Sequence, residues 1–179
     1  MVNDRDFVAG LKACGAVRFG TFTLASGKTS DYYVDIKRAA TVPVLLREIA
    51  RRMGPHVRGY DRIAGVELGA VPIATAVSLE VGIPFLMVRK EAKDHGTKRA
   101  YEGEMKSGDR VVFVEDVVTT GGTLRASIER LRSEGAVVDR AVAVVDREEG
   151  GGEHLSAANV DLVSLLTARD LRMMGPTSK

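Results

Sequence analysis

Cysteine is nearly missing from this chain: Cys14 is the only one in 179 residues. That excludes an intramolecular disulfide and a cysteine-rich zinc site, fits a reducing cytosol, and leaves Cys14 as a small apolar residue with no catalytic role. Net charge is also small, because 26 Lys and Arg stand against 24 Asp and Glu, a formal +2. With no global pull toward nucleic acid or an anionic membrane, neither is expected as a partner, and any basic site must be local. No apolar run approaches the length of a membrane span, and the opening Met-Val-Asn-Asp-Arg-Asp lacks the basic and apolar stretches of a signal peptide. A cytoplasmic protein is expected. There is no internal repeat or low-complexity segment. The full Gly-x-x-x-x-Gly-Lys-Ser/Thr of a Walker A loop is missing, since no Gly-Lys-Ser/Thr follows Gly121-Gly122, as is a Gly-x-Gly-x-x-Gly after a strand, so the usual nucleotide-hydrolase and dehydrogenase loops are excluded.

Apolar residues at 45% and charged residues at 28% describe a chain that folds, with a length that suits one compact domain. Val111 to Val114 and Ala141 to Val145 are continuously apolar and β-branched, the pattern of strands buried on both faces of a parallel sheet. Between them Leu124, Ile128 and Leu131 recur at helical spacing with Gly135 as a stop, which completes a strand-helix-strand unit. Upstream, Thr41 is positioned to cap a helix carrying Leu45, Leu46, Ile49 and Met53, with Gly54 ending it. Arg62 to Val66 reads as a strand, Pro72 to Val81 as a helix and Phe85 to Val88 as the next strand. The alternation predicts a doubly wound α/β fold, a parallel sheet flanked by helices. Residues 1–40 break the rhythm: a helix through Phe7, Val8 and Leu11, then strand-like pieces at Phe19 to Leu24 and Tyr32 to Ile36, suggest an appended hood. Residues 89–110 form a long, mostly polar connection between buried strands, as functional lids do. Residues 172–179 read as a frayed tail.

The strongest chemical signal lies between Val111 and Thr123. An apolar strand ends in Glu115 and Asp116, then runs through Val117, Val118, Thr119, Thr120, Gly121 and Gly122 into a helix. Ligands of open α/β sheets bind at the carboxyl ends of strands. There a glycine-rich turn can wrap an anion with backbone N–H groups, at the positive end of the following helix. Two acids beside a phosphate would repel it, so they must serve otherwise, by accepting hydrogen bonds from sugar hydroxyls or by helping to hold a hydrated Mg²⁺. An isolated Gly-Gly would be a simple turn before a cap. The paired acids favour a sugar-phosphate site.

Val114 to Thr123 resembles the signature by which type I phosphoribosyltransferases bind phosphoribosyl diphosphate (PRPP). Arg89-Lys90-Glu91-Ala92-Lys93-Asp94-His95-Gly96-Thr97, with Glu102-Gly103, resembles the mobile catalytic loop of the orotate-using members of that family. Phe22-Thr23-Leu24, Ser26-Gly27 and Tyr32-Tyr33 resemble their base-contacting amino-terminal segment, and Asp146 to Gly151 the element bearing their orotate-binding arginine. Four matches in the right order are far more specific than one.

The resemblance implies PRPP contacts from Arg89, Lys90, Lys93, His95, Glu115, Asp116 and the Val117 to Thr123 loop, with Lys93, His95 and Asp116 closest to the chemistry. It implies orotate contacts from Thr119, Arg147, Ser26, Tyr32 and Tyr33, Mg²⁺ held mainly through PRPP and water near Asp116, and a homodimer whose lid serves the neighbouring subunit. Without that context the basic run would read as a solvated face and Arg147 as a strand-end surface residue; one tyrosine is expected in the core. Bacterial relatives commonly carry lysine where Ala25 stands and another basic residue near Gly69, so those two contacts do not transfer. The rivals are a phosphoribosyltransferase for another base, a PRPP-sensing regulator and a methyltransferase.

Overall fold

The computed structural model describes residues 3–23, 27, 29–90 and 100–174. The chain opens with helix α1 (Asp4–Ala13), capped by the Asn3 side chain, which accepts from the Asp6 amide at 2.8 Å. An antiparallel pair follows, β1 (Val17–Thr23) and β2 (Thr29–Val34). The strand expected over Tyr32 to Ile36 ends two residues sooner, because Ile36 turns inward and starts a short helix, α2 (Ile36–Ala40). This two-stranded ribbon is separate from the main sheet, yet Phe7, Leu11, Tyr32 and Ile36 are buried in the same apolar cluster as the sheet.

Helix α3 (Pro43–Val57) differs from expectation at both ends. Thr41 closes α2, its hydroxyl donating to Arg38 O at 2.8 Å, while α3 starts on a proline whose fixed φ suits a first helical position. Gly54 does not stop α3, which continues through Pro55. A Cβ on Gly54 would stand 3.3 Å from Val81 Cγ1, so this glycine lets α3 approach its neighbour closely.

Strands β3 (Arg62–Val66) and β4 (Phe85–Val88), with α4 (Ala70–Val81) between them, lie where the apolar runs predict. A two-residue strand, β5 (Tyr101–Glu102), pairs antiparallel with β4, so part of the expected lid is sheet edge. Then come β6 (Arg110–Val118), α5 (Gly122–Ser133), β7 (Val137–Asp146), α6 (Gly151–Ser156), β8 (Asp161–Thr167) and α7 (Ala168–Met173). Residues 172–174 are not a frayed tail. They end α7, whose Thr167–Asp170 capping box fixes its start, and Met174 O accepts from Lys12 Nζ.

The main sheet has the order β5-β4-β3-β6-β7-β8, all parallel except β5. Alternation along β6 sorts its side chains: Val112 and Val114 join α1, α3 and α4 on one face, Val111 and Phe113 join α5 and α6 on the other. Helices thus cover both faces, as continuously apolar parallel strands require. No helix among the described residues is long and apolar enough to cross a membrane.

Candidate active site

β3 and β6 are neighbours, but their connections diverge: β3 leads into α4 on one face, β6 into α5 on the other. Between diverging connections an open α/β sheet leaves a crevice at the carboxyl ends of its strands. Three cavities occupy this edge. The first, about 360 Å³, lies between the turns after β3 and β6 and is lined by Lys37, Glu67, Gly69, Lys90, Asp116 and Thr123 among others. The second, about 110 Å³, is the hollow of the Val117 to Leu124 loop. The third, about 550 Å³, lies under the ribbon and is lined by Ser30, Asp31, Thr120, Arg147 and Arg172 among others. Thr123 borders the first and second, Thr120 the second and third, so they form one row.

The middle cavity is a backbone cradle. Gly121 takes a left-handed turn (φ 74°) immediately before α5, and no side chain caps that helix. The amides of its first turn are therefore left for an anion. Gly121 also lies close to α6: a Cβ there would meet Gly151 O at 3.2 Å, and one on Gly151 would stand 2.6 Å from Thr119 O. These close approaches hold the loop against α6.

Glu115 and Asp116 are not at the strand end but inside it, since β6 continues to Val118, with Val117 paired to Val145 and Val118 to Asp146. Paired within the sheet, both acids line the first cavity. The Asp116 amide donates to Glu115 Oε1 at 3.0 Å, and the Val117 amide to Asp116 Oδ1 at 2.8 Å. Burial raises the Glu115 carboxyl well above the usual carboxylate range, and the adjoining Asp116 carboxylate reinforces the shift. Asp116 Oδ2 points at Gly69, where a Cβ would come within 2.4 Å. The preceding Glu67–Leu68 peptide is cis.

The expected basic loop is only partly described. Lys90 lines the first cavity, and its amide donates to Glu67 Oε1 at 2.9 Å. Arg89 is not among the lining residues; its guanidinium is ion-paired with Glu102 at the foot of the loop. Lys93, His95 and Ser26 lie outside the described residues.

At the other end, Arg147 borders the third cavity with its amide bonded to Val118 O at 2.9 Å. Its guanidinium lies over the Tyr32 ring at 5.2 Å and pairs with Glu149 at 2.9 Å, while its Nε is buried without a hydrogen-bond partner. Tyr32 is 1% exposed, so a place directly against a base does not suit it; the ring instead supports the arginine. Tyr33, on the opposite face of β2, is half-buried and stacks with Phe22 at 5.7 Å and under Arg18 at 4.8 Å. Thr119 and Thr120 both border the middle cavity.

Sequence reasoning missed Lys37, Glu67 and Arg172. Arg172 reaches the Tyr32 ring at 5.1 Å from α7, far along the chain, and no local pattern announces that meeting. Among the described residues no group of three or more His, Cys, Asp or Glu is arranged to hold a metal ion.

Residues 41–162 match the family model of the phosphoribosyl transferase domain. The chain is 54% identical over 169 residues to the orotate phosphoribosyltransferase of Methanosarcina mazei, covering 93% of this chain and 90% of that one. Among solved structures it resembles orotate phosphoribosyltransferase from Aeropyrum pernix with a TM-score of 0.83 at 37% identity, covering 93% and 96% of the two chains. It also resembles the Mycobacterium tuberculosis enzyme in complex with PRPP, with a TM-score of 0.77 at 31% identity, covering 94% and 98%.

Proposed function

We infer how the site works from the premise that this chain belongs to the orotate phosphoribosyltransferases, which transfer the 5-phosphoribosyl group of PRPP to N1 of orotate and release pyrophosphate in pyrimidine biosynthesis. The row of three cavities carries the assignment of parts. The 5-phosphate takes the middle cradle, where α5 supplies amides and the Thr119, Thr120 and Thr123 hydroxyls add donors. The diphosphate takes the first cavity beside Lys90, and the base takes the third beside Arg147. Glu115 and Asp116, between the cradle and the diphosphate, accept from the ribose hydroxyls.

N1 of orotate displaces pyrophosphate from the anomeric carbon through a transition state with oxocarbenium character. The protein's contribution is positioning and charge stabilisation. Arg147 offers a planar fork to the orotate carboxylate, and the stack on Tyr32 and the pair with Glu149 keep that fork in place. Lys93 and His95, with Arg89 and Lys90 at the foot of their loop, neutralise charge growing on the leaving diphosphate and exclude water from the activated sugar.

Mg²⁺ fits a site of this kind. Mg²⁺ prefers substrate phosphates and several waters to an all-protein cage, and the first cavity offers the Asp116 and Glu67 carboxylates without a ready-made cluster among the described residues. When bound it neutralises diphosphate charge; Asp116 is the residue that would hold its water shell.

A homodimer is the assembly we propose. Helix α4 carries apolar residues on its outer side as well as its inner one: Leu79 is 82% exposed, with Leu68 just before the helix 79% exposed. Large exposed leucines of this kind suit an interface, and a second copy of the chain supplies one while bringing Lys93 to the partner's site. With a single thiol and no charge excess, the protein suits the cytoplasm.

Incubation with orotate, PRPP and Mg²⁺ should consume orotate, read as loss of its absorbance, and chelation of Mg²⁺ should stop it. Equal turnover of uracil or a purine would overturn the assignment of the third cavity.

A further inference from the structure

We propose that Lys37 is a PRPP-binding residue, its ammonium meeting the diphosphate end of the substrate in the cavity between the turns after β3 and β6. This rests on the reading of that cavity given above and adds a contact that the basic loop does not supply.

Charge calls for such a contact. Among the described residues lining the cavity, Glu67, Glu115 and Asp116 face only two cations, Lys37 and Lys90. A diphosphate brought beside the Glu67 and Asp116 carboxylates needs positive charge on the cavity wall itself, not only on a covering loop.

Placement permits it. Lys37 is the second residue of α2, between Ile36, fully buried, and a further buried residue, Ala39, so the backbone that carries it is held against the core. Its Nζ lies 3.1 Å from Asp35 Oδ1 and 3.8 Å from Asp116 Oδ2. The second distance is beyond hydrogen-bond reach. An ammonium has three donors, so Asp35 anchors the group and leaves donors for a ligand beside Asp116. A lysine ammonium so placed is cationic at working pH.

The neighbouring turn leaves the corner to Lys37. The oxygen that Lys37 approaches, Asp116 Oδ2, is the same one that a Cβ at position 69 would strike at 2.4 Å. Position 69 is thus closed to a side chain here, and a cation for this corner of the cavity must come from elsewhere. Lys37 reaches the corner from the hood side, over a distance of sequence that hides the relation.

Lys37 is 59% exposed along its side chain, so substitution should leave the fold intact, which a thermal melt checks. The test compares wild type, Lys37→Gln and Lys37→Arg in three binding measurements with Mg²⁺ present: PRPP, inorganic pyrophosphate and ribose 5-phosphate. We expect Lys37→Gln to weaken PRPP and pyrophosphate tenfold or more, as loss of a charge-assisted bond does, with ribose 5-phosphate and the KM for orotate within about twofold of wild type. Lys37→Arg should recover most of the loss. If Lys37 only props up Asp116, ribose 5-phosphate will weaken in step with pyrophosphate, and the proposal fails. Unchanged pyrophosphate binding in Lys37→Gln also overturns it. Failure of wild type to bind pyrophosphate or PRPP at all would instead sink the parent reading of the cavity.

Discussion

Two glycines four residues apart, Gly65 and Gly69, should respond to the same added methyl group in opposite ways. At Gly65, inside β3, a Cβ would lie 2.7 Å from Ala70 O and 2.9 Å from Ala74 Cβ. Both belong to α4, and one is backbone, so strand and helix must part. Overpacking of this kind costs roughly 1–3 kcal/mol, which for a chain of this size lowers Tm by about 2–12 °C. At Gly69 the backbone angles (φ −67°, ψ −38°) suit alanine, so the backbone raises no objection. The contacts there belong to the Asp116 carboxylate, with Oδ2 at 2.4 Å and Cγ at 2.9 Å. Restoring van der Waals separation requires that carboxylate to withdraw by about 1 Å, at the expense of the 2.8 Å bond from the Val117 amide. The lost bond is worth about 1 kcal/mol, so Tm should fall by less than about 4 °C. A displacement of about 1 Å in a positioning group costs on the order of 100-fold in rate. Gly69→Ala should therefore lose about 100-fold in kcat/KM for PRPP, equivalent to about 2.7 kcal/mol. Steady-state kinetics and thermal melts on both variants decide the matter. A Gly69→Ala protein with wild-type PRPP kinetics, or one that melts as early as Gly65→Ala, would refute the placement of Asp116 in the site.

Arg147→Ala should reduce kcat/KM for orotate about tenfold to a hundredfold, the worth of a charge-assisted fork, with PRPP binding little changed; equal losses for both substrates would discard the base contact. Glu115→Gln tests linkage. A raised folded pKa means that the Glu115 contribution to stability is complete below the ordinary carboxylate range and is lost as pH rises through the folded value. The glutamine variant should therefore gain on wild type in denaturant melts as pH rises from acid, while using PRPP less well; a gap independent of pH would contradict the buried-acid reading. Mixing Lys93→Ala with Asp116→Asn subunits tests the shared loop. With nearly inactive parents and random exchange, activity should recover to roughly a quarter of wild type, and no recovery despite verified exchange would exclude a loop acting on the partner's site.

The central strands were legible because burial on both faces demands unbroken apolar runs: Arg62 to Val66 and Phe85 to Val88 lie where those runs stand. The fold class followed from their alternation with helices. Punctuation was less legible. Gly54 looks like a stop and is a packing residue, while Thr41 looks like an N-cap and closes the preceding turn. Short elements such as α2, α6 and α7 are held by tertiary contacts and have too few residues to show a period. In the candidate site, the β6 loop announced itself because a backbone cradle before a helix is built from consecutive residues. Lys37, Glu67 and Arg172 could not be read, since what makes them site residues is the crevice that the strand order creates. Tyr32 and Tyr33 could be narrowed to one buried and one accessible ring, but only the register of β2 shows which is which.

The narrow neck at residues 87–102 bears on how such a chain can evolve. Met87 and Val88 pair with Glu102 and Tyr101, and the Arg89 amide bonds to Ala100 O at 2.8 Å. Both feet are also fastened to α5, through Arg130 to Arg89 O at 2.9 Å and the Ala100 amide to Glu134 at 3.2 Å. The scaffold thus fixes both feet by itself. Closing a loop twice as long between fixed ends costs only about 0.6 kcal/mol more, so insertions, deletions and altered composition at residues 91–99 are nearly neutral for folding. Natural selection can then try new residues there, while the sheet beneath is inherited unchanged.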